Sequence, residues 1–332
     1  MQVSGQKAEE SHPPVPRNLY PIYVRQGRSQ KSYKAGFIDI KGRVVIEPTF
    51  EDAQPFHEGL ASVQMNRRWG AIDLDGNLVI PCTHSSTGLT FTDGVAEYAD
   101  GNRRGLIAAD GTIILRANKY WAISDFNEGR AYVWDGKQYG FINHRGETVI
   151  PLFFENVRGF SDGMAPAKLI GKWGYIDHTA SFVIVPQFDA AAPFSEGIAR
   201  VSTNAGWGYI NHKNEFLIDP KFAMAHDFHV GLAGVRMRQK EPYGYINKAG
   251  QIVIAPAYAY IHSFSEGLAA VTPMGKSYEY FINIEGERAF AGDYLGVHDF
   301  QDGLCRVATL KTVAYIDRLG QTVWEGPFVD RP

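Results

Sequence analysis

The chain has 332 residues, of which 45% are hydrophobic and 21% are charged, and its formal net charge is -3 with an isoelectric point near 6.4. This apolar content excludes a disordered chain and suffices for a packed interior. The weak net charge gives no general attraction to nucleic acid or anionic lipid, so we expect neither as a partner.

The first residues and the two cysteines indicate an intracellular protein. Residues 1–17 lack the basic-then-apolar order of a secretory signal, and no apolar run is long enough to span a membrane. Cys82 and Cys305 are too far apart in sequence to suggest a disulfide framework or a metal-ligand pair. We therefore predict a flexible leader over residues 1–19, no membrane insertion, no metal or cofactor and a cytoplasmic location. The alternative is a periplasmic or secreted protein whose signal has been removed.

After the leader, the chain repeats one phrase every 34 to 36 residues. The phrase is an aromatic residue and a glycine followed by x-Ile-Asp/Asn. Its last two copies are degenerate, at Tyr280 and Ala314, and the glycine of the other copies lies at Gly36, Gly70, Gly105, Gly140, Gly174, Gly208 and Gly244. Self-similarity at this period predicts about nine copies of one structural unit.

Two further phrases keep the same phase. One is Phe-x-Glu/Asp-Gly, which begins for example at Phe160 and Phe194, and the other is Val-Ile-x-Pro. Within residues 197–220, the segment after the first phrase alternates apolar and polar residues as a half-buried strand does. The aromatic-Gly segment is a second strand, and in most copies an Asp/Asn-x-x-Gly turn joins it to a third strand ended by proline. No segment has a sustained helical period, so helix should be scarce.

These elements predict an all-β protein whose tandem units form a single array over residues 20–328, followed by a tail at 329–332. We expect a propeller-like ring, with an open β-solenoid as the alternative. The strands near Tyr20–Arg25 and Thr322–Trp324 belong to incomplete units, so they could complete one shared sheet. The phrases weaken at Ile113–Trp121 and after Tyr278, where we expect less regular geometry.

The aromatic-Gly pairs Trp69-Gly70, Trp173-Gly174 and Trp207-Gly208, together with the other two phrases, resemble the bacterial WG-repeat (KWG-repeat) family. The resemblance extends from about residue 20 to residue 325. It implies an array of β-repeats in a bacterial protein and implies little about function.

Two rows of polar residues recur once per unit. Acidic residues precede the glycine of the Phe-x-Glu/Asp-Gly turns, and His144, His178 and His212 share one position in successive hairpin turns. Neighbouring units lie about 10 Å apart, so one ion could not be shared between them. We interpret the acids as turn residues that accept backbone N–H groups, and the histidines as exposed turn residues.

Basic residues recur just before the aromatic-Gly strands, in loops that vary while the strands do not. Binding surfaces on rigid scaffolds are usually such loops. Aromatic residues gather in the least regular units and could supply an interface anchor. The candidate partner-binding residues are Arg67, Arg68, Arg103, Arg104, Tyr120, Trp121 and Trp134.

No phosphate-binding loop, nucleophile elbow or zinc-protease motif occurs, so no residue is a catalytic candidate. We expect a monomeric, non-enzymatic scaffold that binds another protein, such as a toxin that it neutralises (an immunity function), or that acts as an effector or adaptor. The alternatives are a carbohydrate or cell-surface binding module, and an enzyme with its site in a central channel.

Overall fold

A computed structural model describes residues 18–26, 33–85 and 88–327, and all regular structure in these residues is β. The prediction of an all-β fold is confirmed. No helix in the described part of the chain could cross a membrane. The predicted leader and tail lie largely outside these residues. Leu19, which we assigned to the leader, is buried in the first core cluster, so the packed array begins no later than this residue.

The described strands form eight sheets, each from consecutive strands. The first four sheets contain β1 (Tyr20–Arg25), β2 (Tyr33–Ile38), β3 (Val44–Phe50); β4 (Asp52–His57), β5 (Leu60–Met65), β6 (Arg68–Ile72), β7 (Leu78–His84); β8 (Phe91–Thr92), β9 (Val95–Asp100), β10 (Arg103–Ala108), β11 (Ile113–Tyr120); and β12 (Ala122–Ile123), β13 (Ala131–Trp134), β14 (Tyr139–Ile142), β15 (Thr148–Phe154). The next two contain β16 (Asn156–Val157), β17 (Ala165–Leu169), β18 (Lys172–Ile176), β19 (Phe182–Phe188); and β20 (Ala190–Ala191), β21 (Ala199–Thr203), β22 (Gly206–Ile210), β23 (Phe216–Phe222). The last two contain β24 (Met224–Ala225), β25 (Leu232–Arg236), β26 (Tyr243–Asn247), β27 (Ile252–Ile261), β28 (Leu268–Pro273), β29 (Tyr280–Asn283); and β30 (Gly296–Val297), β31 (Leu304–Ala308), β32 (Thr312–Asp317), β33 (Thr322–Pro327).

The sheet of β20 to β23 shows how one unit is built. Its strands are antiparallel and lie side by side in chain order, so the two-residue β20 is at one edge and β23 at the other. Strand β23 exposes Phe216 and Leu217, which places it at the outer edge of the molecule. The short first strand therefore forms the inner edge, and we call this side of the ring the inner face.

The glycine of the aromatic-Gly phrase permits a close approach between the third and fourth strands. A Cβ atom on Gly208 would lie 2.7 Å from the Ile218 carbonyl oxygen and 2.7 Å from the Pro220 nitrogen. Strands β22 and β23 shift register at this point, where Trp207 pairs with Phe222 and Tyr209 with Ile218. The two recurrent phrases, aromatic-Gly and Val-Ile-x-Pro, are thus the two sides of one tight contact.

The core lies between neighbouring sheets. Trp173, Tyr175 and Phe188 of one unit pack with Phe194 and Val201 of the next. The buried Tyr175 hydroxyl donates to the Ala192 carbonyl at 2.8 Å, and Tyr209 and Tyr245 repeat this bond in the following units. Each of these three units therefore positions the inner edge of its successor through one tyrosine.

Nine repeat units form these eight sheets because two units share one sheet. Strand β27 is a continuous ten-residue strand that pairs with β26 on one side and β28 on the other. The eighth unit ends in an isolated bridge between Ile282 and Arg288. This irregular unit lies after Tyr278, as expected. The other weak stretch, Ile113–Tyr120, is also less regular, as expected: it pairs with β10, but five positions separate Tyr120 from Leu115 where four separate Phe222 from Ile218 in the unit of β20 to β23.

The last sheet packs against the first and closes a ring, so the open solenoid is excluded. The Tyr315 hydroxyl donates to the Pro21 carbonyl at 2.9 Å, and the Tyr20 hydroxyl donates to the Asp302 carbonyl at 2.6 Å. Ile22 completes a buried cluster across this junction, which we call the seam. The prediction of a shared terminal sheet is wrong, because β1 pairs with β2 and β33 pairs with β32.

Candidate functional site

The ring has two rims. In the described residues, the basic rim consists of the hairpins between the second and third strands of the second to ninth units, at residues 65–68, 100–103, 134–139, 169–172, 203–206, 236–243, 273–280 and 308–312. The turn rim, on the opposite side, carries the Phe-x-Glu/Asp-Gly and Asp/Asn-x-x-Gly turns. The connections at the basic rim range from two residues (66–67) to six (237–242), while the strands behind them keep four to six residues, so this rim is the more variable surface of the frame.

Three of the predicted partner-binding residues meet on the basic rim. The Arg103 guanidinium lies 4.1 Å from the centre of the Trp121 ring and donates to the Lys119 carbonyl at 2.9 Å. The Trp121 backbone N–H donates to the Trp134 carbonyl at 2.8 Å. Trp134 in turn stacks on Tyr139, with ring centres 6.1 Å apart. Trp121 is 40% exposed, so this cluster presents a large aromatic ring to solvent.

Arg67 and Arg68 lie on the adjacent hairpin of the same rim, and both are exposed. The Arg67 backbone is left-handed, with φ of 57°, and its N–H donates to the Glu51 carboxylate at 2.7 Å. This bond fixes the hairpin, and the Arg67 side chain is exposed. Arg68 occupies the position in its unit that Arg103 occupies in the next, because they pair with Met65 and Asp100, respectively.

Tyr120 is buried in the core, so its predicted assignment to this surface is wrong, whereas Arg104 is partly exposed and held in an ion pair. Arg104 stands at the aromatic position before Gly105, and its Nε lies 3.0 Å from the Glu97 carboxylate. Tyr120 is 1% exposed and packs in the core, where its hydroxyl lies 3.2 Å from Thr148 Oγ1 of the next sheet. Both residues are adjacent in sequence to rim residues, but Tyr120 packs in the core and Arg104 pairs with Glu97 on the neighbouring strand of its own sheet.

Exposed apolar side chains on the basic rim were not identified from the sequence. They share a position at or beside the hairpin tip, and they are Met65, Ile170, Met237, Met274 and Leu310. Ile170 is 87% exposed and has a left-handed backbone with φ of 51°. An isoleucine directly before the turn glycine, where polar residues are usual, was the available signal.

Five acidic residues of the turn rim join successive units by accepting backbone N–H groups, which confirms that interpretation for these five. The Glu58 carboxylate accepts the backbone N–H groups of Asp93 at 2.8 Å and Gly94 at 2.7 Å in the next unit. The same bond recurs from Glu128 to Gly163, Asp162 to Gly197, Glu196 to Gly231 and Glu266 to Gly303. No group of side chains in the described residues could hold a metal ion.

The three turn histidines are half-buried links between units and not simply exposed turn residues, which corrects our interpretation. His178 stacks on Phe160 with ring centres 4.3 Å apart, and its Nε2 lies 3.1 Å from the Glu128 carboxylate of the preceding unit. His144 and His212 make the equivalent contacts.

A second histidine row lies on the inner face and was also missed. His226, His262 and His298 occupy one position in consecutive units, and each donates its backbone N–H to the second strand of its own unit. The Asp299 and Glu279 carboxylates each lie 3.3 Å from a His262 ring nitrogen and raise the pKa of His262 to about 9. Burial lowers the pKa of His226. Within this row, His262 is therefore held between two carboxylates, whereas burial favours the neutral form of His226.

A closed ring of antiparallel sheets, each running from the centre to the outer edge, defines a β-propeller. Two solved structures resemble it. The crystal structure of the eukaryotic initiation factor is 9% identical, with a TM-score of 0.64, and the match covers 94% of this chain and 96% of that one. The dihydro-heme d1 dehydrogenase NirN in complex with DHE is 9% identical, with a TM-score of 0.50 and coverage of 97% and 75%. At these identities the likeness shows the fold alone.

No curated protein sequence matches the chain. The family model described as WG containing repeat matches it at residues 36–69, 69–98, 139–173, 173–205, 207–240 and 243–272. These segments make up more than half of the sequence, so the chain belongs to the WG-containing repeat family.

Proposed function

We propose that the protein is a non-enzymatic scaffold that binds another protein through the basic rim of its second to fourth units. The observation that carries this proposal is the exposed Trp121 ring, held under the Arg103 guanidinium and beside the hairpin of Trp134. Tryptophan and arginine are the residue types that most often dominate binding energy at protein interfaces. A rigid frame holds both in place, so little conformational entropy is lost on binding.

The charge of this surface favours a partner with an acidic patch. Arg67 and Arg68 lie on the hairpin next to Arg103, and none of the three forms a salt bridge within the described residues. Complementary charges would accelerate association with such a partner. A toxin that the protein neutralises, or a component that it links as an adaptor, fits this description.

The same contacts disfavour the carbohydrate alternative. Sugars bind to an open aromatic face, but the guanidinium of Arg103 covers one face of Trp121 at 4.1 Å. The hairpin at Gly136 abuts the indole edge, because a Cβ there would lie 2.9 Å from Trp121 Nε1. These two contacts support a role as an interface anchor beside charge over a role as a stacking platform for sugars.

The test compares three forms of the full chain in pull-downs from the source organism. One variant carries Arg67→Glu, Arg68→Glu and Arg103→Glu, and the control carries Lys213→Glu and Lys248→Glu on the turn rim. We expect a stoichiometric protein partner with the wild type and the control, and its loss with the triple variant. Purified components should then show a slower association rate for the triple variant at low salt.

Both variants should melt like the wild type, because exposed charges contribute little to stability. Loss of the partner only in the turn-rim control would place the interface on the opposite rim. Specific retention on polysaccharide, with no protein partner, would favour the carbohydrate-binding alternative.

A further inference from the structure

The seam contains a cavity of about 500 Å³ that opens between the first two sheets and the last. Its apolar side is formed by Leu19, Tyr20, Phe56 and Tyr315, and its polar side includes Arg306 and Asp302. Small-molecule sites typically have volumes of about 300 to 1,000 Å³, apolar walls and a few fixed polar groups. The cavity has these properties.

The cavity lies where the ring departs from its repeat. In the other sheets a first strand, two residues long in six of them and six residues long in the second, covers the inner edge of the unit, whereas in the described residues the first sheet has three strands and β1 is its edge. In the unit of β20 to β23, the Arg200 carbonyl accepts the N–H of Ala192 from that first strand. At the seam the equivalent carbonyl, that of Pro21, accepts the Tyr315 hydroxyl instead.

This arrangement favours a small molecule over an added peptide strand. Proline has no N–H to donate, and the Pro21 carbonyl already has a partner. An extended peptide would find neither group of this residue free for a ladder bond. At Pro21 the edge of the sheet therefore offers no free backbone group to a further strand, and the opening remains available to a small molecule.

Arg306 is a cation of the cavity that lacks the salt bridge made by the equivalent arginine of another unit. It stands at the same strand position as Arg200, since they pair with Tyr315 and Tyr209, respectively. Arg200 Nε lies 2.6 Å from the Asp227 carboxylate of the next sheet. Arg306 forms no salt bridge within the described residues, and its guanidinium contacts only the His298 ring, at 3.2 Å. A planar guanidinium held in this way matches a carboxylate.

Asp302 supplies an anion at the exposed mouth of the cavity. Five other turn acids, such as Glu266, accept a backbone N–H from the next unit. Within the described residues the Asp302 carboxylate accepts no such bond, and its carbonyl is held by the Tyr20 hydroxyl. Asp299, the other acid of the cavity, already pairs with His262 at 3.3 Å. Arg306 and Asp302 are thus opposite charges that line one cavity without pairing with each other.

We propose that the seam cavity binds a small zwitterion of the amino-acid class with an apolar side chain. The carboxylate of the ligand pairs with Arg306 and its ammonium with Asp302. The side chain packs against Tyr20, Phe56 and Tyr315. A ligand with only one of the two charges leaves the other protein group unpaired, so both charges are required.

The experiment is calorimetric titration of the full chain with L-phenylalanine and, as single-charge probes, 3-phenylpropionate and phenethylamine. L-leucine tests the aliphatic equivalent. We expect the two amino acids to bind more tightly than either single-charge probe. Arg306→Gln and Asp302→Asn should each weaken binding of the amino acids by at least about tenfold. Matched controls are Arg200→Gln and Asp162→Asn, which occupy the same repeat positions outside the cavity and should bind as the wild type does.

Three results would overturn the proposal. Neither amino acid binds; or 3-phenylpropionate binds as tightly as L-phenylalanine, which would indicate a site for anions alone; or the controls weaken binding as much as the two cavity variants. Binding by a chain that begins at Asn18, and not by the full chain, would also overturn it, because residues 1–17 would then be the natural occupant. Circular dichroism of each variant separates a lost site from a lost fold.

Discussion

Replacing Gly208 by alanine should force apart two strands of one sheet. The added Cβ would lie 2.7 Å from the Ile218 carbonyl oxygen and 2.7 Å from the Pro220 nitrogen, whereas ordinary contacts begin near 3.4 Å. Relief therefore requires a movement of about 0.7 Å between two backbones. The backbone of Gly208 is not left-handed, so the effect comes from steric contact and not from an unfavourable φ.

The cost follows from what this movement disrupts. Overpacking in a close-packed interior costs about 1 to 3 kcal/mol when side chains can adjust. Here the obstructing atoms are backbone, and the shift strains the pairs Trp207–Phe222 and Tyr209–Ile218 on either side. Each weakened ladder bond adds about 1 kcal/mol. We expect a loss of at least about 3 kcal/mol in the free energy of unfolding.

The control is Gly296→Ala, at a glycine with room for the methyl group. A Cβ there would meet only the Ala308 Cβ, at 3.9 Å, so we expect a change within about 1 kcal/mol. Urea unfolding followed by circular dichroism and tryptophan fluorescence measures both variants. If Gly208→Ala unfolded at the same urea concentration as Gly296→Ala, the steric account of the aromatic-Gly phrase would be refuted.

Two further predictions concern a buried ring and a charged histidine. Trp173→Ala should destabilise the protein by about 3 to 5 kcal/mol, because the ring is 8% exposed within a core cluster. Trp121→Ala, at a ring that is 40% exposed, should change the urea midpoint little. Equal midpoints for the two variants would contradict the assignment of Trp173 to the core and of Trp121 to the surface. Asp299 and Glu279 raise the pKa of His262 to about 9, above the value near 6.5 of an unfolded chain, so its stabilising contribution is full below pH 6.5 and is lost as the pH rises through 9. His262→Gln should abolish this decline in urea unfolding between pH 6.5 and 9, and an unchanged pH dependence would show that His262 is not its source.

The sequence predicted the repeat unit because the unit depends on short-range chemistry. The turn glycines, the closing prolines and the aromatic-Gly pair each act within one hairpin, so their spacing reveals strand order without knowledge of the whole ring. The acids of the turn rim were interpreted correctly for the same reason. Glu58 lies one residue before a turn glycine, and the backbone N–H groups that it accepts recur one repeat later.

The sequence could not show whether a side chain is buried or exposed where that depends on packing against a neighbouring sheet. Tyr120 and Trp121 are adjacent, yet one is buried against Thr148 of the next sheet and the other is exposed. Arg104 occupies a position that is Trp in three other units, and it forms an ion pair with Glu97. The contacts of the seam could not be predicted from the sequence either, because they join residues at opposite ends of the chain, such as Tyr315 and Pro21.

The seam has a consequence for the order of the chain. Every described sheet is built from consecutive strands, and no strand crosses from the last unit into the first. Residues at the two ends of the array therefore face each other across a side-chain junction. New termini placed between any two sheets, with the old ends joined by a linker, would leave every described sheet intact. The described sheets therefore do not depend on which unit comes first in the chain.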